Sequence, residues 1–388
     1  MSDAINPLVA DTGSPPIPEA KAWLERYDGG HGPAIDLSQA VPGHPPPEDF
    51  LARLGAAAAT PEAARYGAIL GDVPLREAYA ADVAACYGAA VSPGEVAITA
   101  GCNLAFVIAT MLVAKAGDAV LLPTPWYFNH AMSLRMLGVE ARPLPARAEA
   151  GFVPDPAEAE RLLADGRVRA IVLVTPNNPT GAVYPAGTIA AFAALCRRRG
   201  VRLILDETYR DFLPDGIERP HGVFAEPELR RGTIQLYSFS KAYGIPGHRL
   251  GAMLASIEDQ AQIAKLLDCL QISPTRAGQM ALAPAIPAMA GWRARNRAEI
   301  IARGAVFRAA VAGAPGWRID SLGAYFAYLR HPFPGEDGRA VAERLAAKRG
   351  VLTLPGGFFG PGQEGHLRVA VANVDSRALA GLGARLRA

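Results

Sequence analysis

The sequence predicts an α/β protein with a large, mostly parallel sheet flanked by helices, and a smaller α+β domain. Between residues 95 and 255, short apolar runs alternate with segments of helical period, which is typical of a parallel sheet buried on both faces. After about residue 280 the helix and strand candidates follow a different order, and residues 1–47 are rich in Pro and Gly. We therefore expect a large domain over 48–280 and a small domain formed by 1–47 and 281–388.

Individual strand and helix candidates follow from the same patterns. The loop between the last two strand candidates of the large domain is too short for a helix, so one of these strands is expected to run antiparallel. The large-domain strand candidates are EVAIT (95–99), AVLLP (119–123), AIVLVT (170–175), RLILD (202–206), IQLYS (234–238) and LGAMLA (250–255). The small domain is expected to contain helices at 18–27, 292–312 and 338–349, strands at 324–330, 351–355 and 366–372, and a terminal helix.

Composition and charge exclude several classes of function. The 388 residues carry 39 basic and 37 acidic side chains, a net charge of +2, so neither a nucleic-acid partner nor an electrostatic membrane anchor is expected. The cysteines at 86, 102, 196 and 269 lack the spacing of a zinc site or a CxxC pair, which favours reduced thiols in a cytoplasmic protein without a metal. The N-terminus lacks the pattern of a secretory signal, and the most apolar helical run (104–114) is too short to span a bilayer.

Polar and aromatic residues follow five successive strand candidates, where ligands of open α/β sheets bind. These loops begin AGCNLAF, TPWYFNH, PNNPTG, DETY and FSK. Each is ordinary alone, because an Asp at a strand end is commonly a cap, NNPTG is by composition a turn, and an exposed lysine is commonly solvated. Together they offer a helix N-terminus suited to phosphate, an aromatic face, an amide, an acid–phenol pair and a lysine amine.

Pyridoxal 5'-phosphate requires this combination of groups. A lysine amine forms a Schiff base with its aldehyde. A carboxylate facing the ring nitrogen keeps that nitrogen protonated, because the opposite charge favours the cationic form. An amide and a phenol can bind the ring oxygen, and an arginine fork can bind the phosphate.

The motifs NNPTG (177–181), DETY (206–209) and SFSKAYGIPGHRLG (238–251) closely resemble those of the class I/II aminotransferases, which are fold type I enzymes of the aspartate aminotransferase superfamily. The separations of 28 residues (178 to 206), 35 (206 to 241) and 8 (241 to 249) fit that family, and the resemblance extends from about residue 12 to 372. It implies a seven-stranded type of large sheet and pyridoxal 5'-phosphate as cofactor.

The resemblance also implies a role for each cofactor-site residue. Lys241 matches the Schiff-base lysine, Asp206 the partner of the ring nitrogen, and Tyr209 a catalytic ligand of the ring oxygen. Aligned on the shared Pro and Asn-His of the loop, Tyr127 matches the residue that stacks on the ring, and a one-residue slip in the alignment would give its neighbour Trp126 instead. The remaining matches are Asn178 for the ring oxygen, Ser238, Arg249 and the backbone of Gly101, Cys102 and Asn103 for the phosphate, and His130 behind Asp206.

Other matches concern the substrate and a second subunit. Arg368 in HLRVAVA matches the arginine that binds the substrate carboxylate, although a structural arginine at a strand edge is the simpler alternative. Phe359 in LPGGFFG is expected near the substrate, and Asn178 is expected to contact it. Ala40 in SQAVPG stands where many family members have glycine in a segment that closes over the substrate. Tyr66 matches a tyrosine that reaches the cofactor phosphate of the neighbouring subunit, which implies a homodimer.

The implied activity is a ping-pong amino-group transfer from an L-amino acid to a 2-oxo acid through aldimine and ketimine intermediates, with Lys241 carrying the proton. The same residues would also serve a carbon–sulfur β-lyase, a decarboxylase or a cyclase, and a non-catalytic cofactor-binding sensor is a further alternative. A P-loop protein is disfavoured because Lys241 lacks a preceding GxxxxG.

The substrate prediction depends on one missing residue. Dicarboxylate-specific relatives have a second arginine just before the segment that here reads CLQISPTRAGQ (269–279), where this chain has Cys269 and Gln271. Arg276 falls several residues later and is a doubtful substitute. With Trp126 and Phe128 nearby in the aromatic loop, the sequence favours a neutral, hydrophobic or aromatic amino donor.

Overall fold

The structure, a computed structural model, describes residues 5–387. It contains a seven-stranded sheet, a four-stranded sheet and a two-stranded pairing. Within the described part of the chain, no helix combines the length and apolar character needed to cross a membrane. The strands are β1 (Ile35–Asp36), β2 (Val96–Thr99), β3 (Ala119–Thr124), β4 (Glu140–Pro145), β5 (Val168–Val174), β6 (Arg202–Asp206), β7 (Thr233–Ser238), β8 (Gly251–Leu254), β9 (Arg318–Gly323), β10 (Phe326–Arg330), β11 (Val351–Leu352), β12 (Leu354–Pro355) and β13 (His366–Ala370).

Helices cover both faces of the large sheet and one side of the small one. Several begin with Pro in the first turn or end on a left-handed glycine, as helix termini commonly do. The helices are α1 (Pro7–Ala10), α2 (Pro16–Leu24), α3 (Glu48–Ala58), α4 (Val73–Tyr87), α5 (Cys102–Val113), α6 (Phe128–Met136), α7 (Pro156–Leu162), α8 (Ala186–Arg199), α9 (Pro227–Arg230), α10 (Phe239–Ala242), α11 (Ile257–Leu270), α12 (Arg276–Ala288), α13 (Ala290–Ala312), α14 (Gly338–Arg349) and α15 (Ser376–Arg387).

The large sheet has the strand order β2-β8-β7-β6-β5-β3-β4. Its pairings are parallel except for β8, which runs antiparallel to both β2 and β7. The predicted α/β class with a mostly parallel sheet is therefore confirmed, and β8 is the expected antiparallel strand. The carboxyl ends of β5, β6 and β7 lie side by side, so the residues that follow them are brought to one edge of the sheet.

Alternation along the central strands explains why the sheet is buried on both faces. Leu173 and Leu205 pack in the core on one face, whereas Val172 and Ile204 pack in the core on the other. All six residues of β7 are buried, and so are six of the seven residues of β5. This double burial requires nearly continuous apolar sequence, which is the pattern that predicted these strands.

The small domain is built around the antiparallel sheet β12-β13-β10-β9. The N-terminal segment joins it because β1 pairs in parallel with β11, Ile35 lying opposite Val351. The predicted boundary at 280/281 falls inside α12, whose residues Ala281, Leu282 and Ile286 pack in a core of the large sheet. We propose that, within the described part of the chain, the large domain spans 48–288, with 5–47 and 289–387 forming the small domain.

Candidate active site

A cavity of about 260 Å³ lies at the carboxyl ends of the large-sheet strands. Its walls come from the loops after β5, β6 and β7, the start of α5 and α6, and the N-terminal segment. Sequence reasoning placed most of the lining residues in the site. The predicted residues that line the cavity are Ala40, Cys102, Asn103, Tyr127, Asn178, Asp206, Tyr209, Ser238, Lys241, Arg249 and Arg368.

Lys241 lines the cavity from the short helix α10 that directly follows β7. Its Nζ donates a hydrogen bond to the carbonyl oxygen of Ala40, and no carboxylate among the described residues forms an ion pair with it. Burial, with further contributions from the positive charges of Arg368 and Arg249, lowers the pKa of Lys241 to about 8. About a tenth of this amine is therefore neutral, and nucleophilic, at pH 7, which is far more than at the usual lysine pKa.

Asp206, the last residue of β6, is buried and held in a fixed orientation. Its Oδ1 accepts a hydrogen bond from the backbone N–H of Thr208 at 3.0 Å, and its Oδ2 lies 3.4 Å from Nε2 of His130. The His130 ring stacks on Phe106 with ring centroids 3.9 Å apart, and it does not line the cavity. His130 thus lies behind Asp206, and the carboxylate stands between it and the cavity.

Arg368, on the small-domain strand β13, lines the cavity and is 2% exposed. Its Nη1 donates to Oδ1 of Asn178 at 3.1 Å, Nη2 donates to the carbonyl oxygen of Ser38, and Nε has no hydrogen-bond partner among residues 5–387. The guanidinium carbon lies 5.1 Å from the ring centroid of Phe326 and 5.0 Å from that of Phe359. Burial lowers the pKa of Arg368 to about 10, which reflects a buried cation without a carboxylate partner. Such a cation favours binding of an anion from outside the chain.

Another part of the cavity wall, made by large-domain segments, combines a helix N-terminus with Arg249. Gly101, with φ +87°, precedes α5 and leaves the first-turn N–H groups of Cys102 and Asn103 facing outward. A Cβ at Gly101 would lie 2.8 Å from Cζ of Arg249, so glycine is needed for the guanidinium to approach. Arg249 is exposed in the single chain, and its Nη1 donates to the carbonyl oxygen of Pro246 at 3.0 Å.

Two tyrosines contribute hydroxyl groups and ring faces to the cavity. Burial raises the pKa of both Tyr127 and Tyr209, so each remains a protonated hydrogen-bond donor at neutral pH. Tyr127 lines the cavity, whereas the Trp126 backbone N–H donates to the carbonyl oxygen of Phe359 and its ring lies beside Gly360. The geometry therefore favours Tyr127 over Trp126 as a stacking residue.

Besides His130 and Gly101, three further residues considered from the sequence lie elsewhere than at the cavity wall. Phe359 is fully buried and packs against Arg368 and Phe128, so it supports the guanidinium rather than facing the cavity. Tyr66 is 79% exposed on the surface of the single chain. Arg276, the doubtful substitute for a second substrate arginine, pairs with Asp72 at 3.2 Å and donates to the carbonyl oxygen of Glu62 at 2.7 Å.

Sequence reasoning missed several lining residues. Ser240 and Thr208 lie within motifs that were recognised, and the Ser-x-Ser spacing of 238 and 240 is a signal that could have identified the second hydroxyl. Gln39 and Val41 flank the predicted Ala40. Ile17 reaches the cavity from α2, and no pattern in the sequence connects it with a lysine more than 200 residues away.

Comparisons with known proteins agree with this geometry. A family model described as aminotransferase class I and II matches residues 32–386. The valine–pyruvate aminotransferase of Mycobacterium tuberculosis is 30% identical over 93% of this chain and 92% of its own length. The aromatic aminotransferase ISS1 of Arabidopsis thaliana is 27% identical over 91% of this chain and 89% of its own. Among solved structures, a single mutant of Thermus thermophilus aspartate aminotransferase is 25% identical, covers 99% of both chains and has a TM-score of 0.90. The chain therefore belongs to the class I and II aminotransferases, enzymes that use pyridoxal 5'-phosphate to exchange an amino group between amino acids and 2-oxo acids.

Proposed function

We propose that this aminotransferase takes its amino group from a neutral, hydrophobic or aromatic L-amino acid and delivers it to a 2-oxo acid in two successive half-reactions. The proposal depends on the observation that Arg368 is a buried cation and that no carboxylate among the described residues pairs with it. The Arg368 guanidinium can therefore bind the carboxylate of the substrate. The cavity wall also includes apolar residues, Ile17, Val41 and Phe128.

The residues present fit pyridoxal 5'-phosphate. The glycine cradle at Gly101 and the Arg249 guanidinium form an anion site at one end, and the buried Asp206 carboxylate suits a protonated ring nitrogen. When bound, the cofactor supplies an electron sink that stabilises the negative charge left when the substrate Cα–H bond breaks. We propose that Lys241 would hold the aldehyde, Asn178 and Tyr209 the ring oxygen, Tyr127 the ring face, and Ser238, Ser240 and the N–H groups of Cys102 and Asn103 the phosphate.

Proton transfer falls to Lys241. Its Nζ, with a pKa of about 8, can accept the proton from the substrate Cα as a neutral amine and return it as an ammonium group. Arg368 holds the donor carboxylate at a fixed distance from that amine and so orients the Cα–H bond, which converts binding energy into orientation. The hydrogen bond from Arg368 to Asn178 keeps the carboxylate site aligned with the ring-oxygen site.

The charges around the cavity support a neutral donor side chain. Among the described residues that line the cavity, Asp206 is the only one with a carboxylate, and that carboxylate already interacts with Thr208 and His130. A cationic donor side chain would therefore have no free counter-ion in the cavity wall. Arg276 is engaged by Asp72, which leaves it poorly placed to bind a second substrate carboxylate. The valine–pyruvate relative has a neutral donor in its name, and pyruvate is accordingly a reasonable acceptor for this chain.

We also propose that the enzyme is a homodimer in which Tyr66 approaches the partner's cofactor phosphate. Exposed apolar side chains near it in sequence or across a segment contact include Val73, Leu270 and Ile272. The two segments that carry these residues meet where the Gly67 N–H donates to Ser273 Oγ at 3.2 Å. Contiguous exposed apolar residues commonly mark a protein interface.

A donor panel tests the proposed specificity. Purified enzyme with pyridoxal 5'-phosphate is supplied with valine, leucine, methionine, phenylalanine, aspartate, glutamate, lysine or arginine, and with pyruvate or 2-oxoglutarate as acceptor. Neutral donors are expected to have kcat/KM values about tenfold or more above those of the charged donors, because a charged side chain would be buried without a partner. Paired oxo-acid and amino-acid products are expected. A preference for a charged donor, or ammonia released without an acceptor, would contradict the proposal.

A further inference from the structure

We propose that Gly323 and Tyr325 are positioning residues that set the distance between Arg368 and the Lys241 side of the site. This inference rests on the proposed function, because it assumes that Arg368 binds the substrate carboxylate and that Lys241 moves the proton. Both residues belong to the segment 323–326, which we call the β9–β10 turn. The turn lies in the small domain, yet it contacts three large-domain elements that carry predicted site residues.

The first contact is between two glycines. A Cβ at Gly181 would lie 2.5 Å from Gly323 N and 2.6 Å from Gly323 O, and a Cβ at Gly323 would lie closer than 3.0 Å to Gly181 O. The two backbones therefore touch directly, without room for a methyl group on either side. Gly181 lies three residues after Asn178, so the contact fixes the β9–β10 turn against the loop that carries the Asn178 amide.

The second and third contacts involve Tyr325, which is fully buried. Its ring centroid lies 5.3 Å from that of Tyr209 and 4.7 Å from that of Phe212. Its hydroxyl lies 3.5 Å from the carbonyl oxygen of Lys241. One short turn thus contacts the segments that carry Tyr209, Lys241 and Asn178.

The same turn leads directly into the strand next to Arg368. In the pairing of β10 with β13, Phe326 lies opposite Ala370 and Tyr328 lies opposite Arg368. The Phe326 ring is also within 5.1 Å of the Arg368 guanidinium carbon. A displacement of the turn therefore moves the strand that carries the substrate arginine.

Of the two segments that touch at Gly181 and Gly323, the large-domain loop 177–182 is expected to be more rigid than the β9–β10 turn. In the loop 177–182, Asn177 Oδ1 accepts hydrogen bonds from the backbone N–H and the hydroxyl of Thr180 at 3.1 and 2.8 Å. The Asn177 and Gly181 N–H groups close the loop through bonds of 2.8 Å to the carbonyls of Ala182 and Asn177. By contrast, β9 is an edge strand with partly exposed residues, and Ala324 has φ +45°. Added volume at Gly323 is thus expected to displace the small domain and leave Asn178 in place.

The test compares Gly323→Ala with Gly304→Ala in the cofactor-loaded enzyme. Gly304 is a matched control in α13, where an added Cβ would meet its nearest neighbour, Leu322, at an ordinary 3.8 Å. Gly323→Ala is expected to raise KM for the preferred donor about tenfold. It should raise by the same factor the Kd of a 2-methyl amino acid, which has the carboxylate but no Cα–H bond. Cofactor Kd and cofactor absorbance are expected to change less than about threefold. The kcat is expected to fall as well, because a displaced Arg368 no longer orients the Cα–H bond toward Lys241.

Two results would overturn the proposal. One is a Gly323→Ala enzyme whose KM equals that of Gly304→Ala; the other is a loss of cofactor affinity as large as the rise in KM. If Gly323→Ala is not recovered folded, Tyr325→Leu carries the test, with KM again expected to rise more than cofactor Kd. Failure of the proposed function is distinguishable, because it would appear in the unmodified enzyme as no transfer from neutral donors, or in Arg368→Ala as an unchanged KM.

Discussion

Two parts of the cavity wall are built in different ways. In the part proposed to bind the substrate carboxylate, which we call the carboxylate end, Arg368 is buried and is enclosed by Asn178, Ser38, Phe326 and Phe359 of the same chain. In the part proposed to bind the cofactor phosphate, which we call the phosphate end, Arg249 is exposed and its hydrogen bond goes to the nearby carbonyl of Pro246. One chain thus encloses the carboxylate end, whereas Arg249 at the phosphate end is exposed, as the proposed contribution of Tyr66 from a second subunit would require.

The contrast also assigns different tasks to the two domains. The phosphate end consists of large-domain elements, the start of α5 and the segment 238–249. The carboxylate end combines the large-domain Asn178 with Ser38 and Arg368 on small-domain elements. Substitutions at the phosphate end should therefore affect mainly cofactor binding, and those at the carboxylate end mainly substrate binding. A substitution of Lys241 should affect both half-reactions.

The largest effect is expected for Lys241→Ala. Loss of the amine removes both the covalent anchor of the cofactor and the proton carrier, so turnover should fall by about 10⁴-fold or more. The visible absorbance of lysine-bound cofactor should also disappear. Lys265→Ala is a matched control, because Lys265 is an exposed lysine bonded to Gln262. Retention of both absorbance and multiple turnover in Lys241→Ala would remove Lys241 from the proposed mechanism.

How far the sequence predicts the site differs between the two ends. Ser238, Lys241 and Arg249 lie within one motif, and Gly101 begins a helix directly after a strand, so local pattern is enough to find them. Ile17 lines the cavity, and the Ser38 carbonyl accepts from Arg368, only through tertiary packing; the SQAVPG segment that begins at Ser38 was placed near the substrate by the family resemblance alone. No periodicity or turn signal connects them with the motifs, because their positions depend on how the N-terminal segment packs against the small domain.

Strands also differ in how well the sequence predicts them, and the difference follows their burial. Central strands such as β5 and β7 are buried on both faces and are recognisable as apolar runs. The strands β4 and β9 were not predicted, because both are edge strands with largely exposed or half-exposed residues, and β4 contains two prolines. Edge strands depend on a neighbour for their pairing more than on their own sequence.

The next largest effect should distinguish the two arginines. Arg368→Ala is expected to lower kcat/KM by about 100-fold or more, mainly through KM, because charge-assisted hydrogen bonds to the carboxylate are lost. Its cofactor Kd should remain within about threefold. Arg249→Ala is expected to raise cofactor Kd about tenfold or more, with a smaller effect on donor KM at saturating cofactor. Each variant is the control for the other, and equal effects on both constants would contradict the division of the cavity into two ends.

A smaller effect concerns pH. The pKa of Lys241 is lowered to about 8 by burial and by the two arginines, so its neutral fraction rises with pH up to that value. The rate at which cofactor-free enzyme captures pyridoxal 5'-phosphate should therefore rise about tenfold per pH unit below 8 and level off above it. Stopped-flow absorbance between pH 6 and 10 checks this. In Arg368→Ala the midpoint should move to higher pH, because one of the charges that lower this pKa is removed. A flat profile between pH 6.5 and 8 would contradict the assignment.

The smallest effect is expected for Tyr66→Phe, which tests whether the open phosphate end is closed by a second copy. Loss of one hydroxyl contact to the phosphate should raise cofactor Kd about fivefold and leave donor KM nearly unchanged. Tyr27→Phe is a control, since its hydroxyl bonds to the carbonyl oxygen of Gly32 away from the cavity. Mixed dimers of one Tyr66→Phe chain and one Lys241→Ala chain sharpen the test. Only the Tyr66→Phe chain keeps Lys241, and under the proposal the active site of that chain contains the unmodified Tyr66 of the other chain. This active site should therefore bind cofactor with unmodified affinity. If it instead shows the weakened affinity of the Tyr66→Phe homodimer, Tyr66 acts within its own chain and the phosphate end is not closed by the partner.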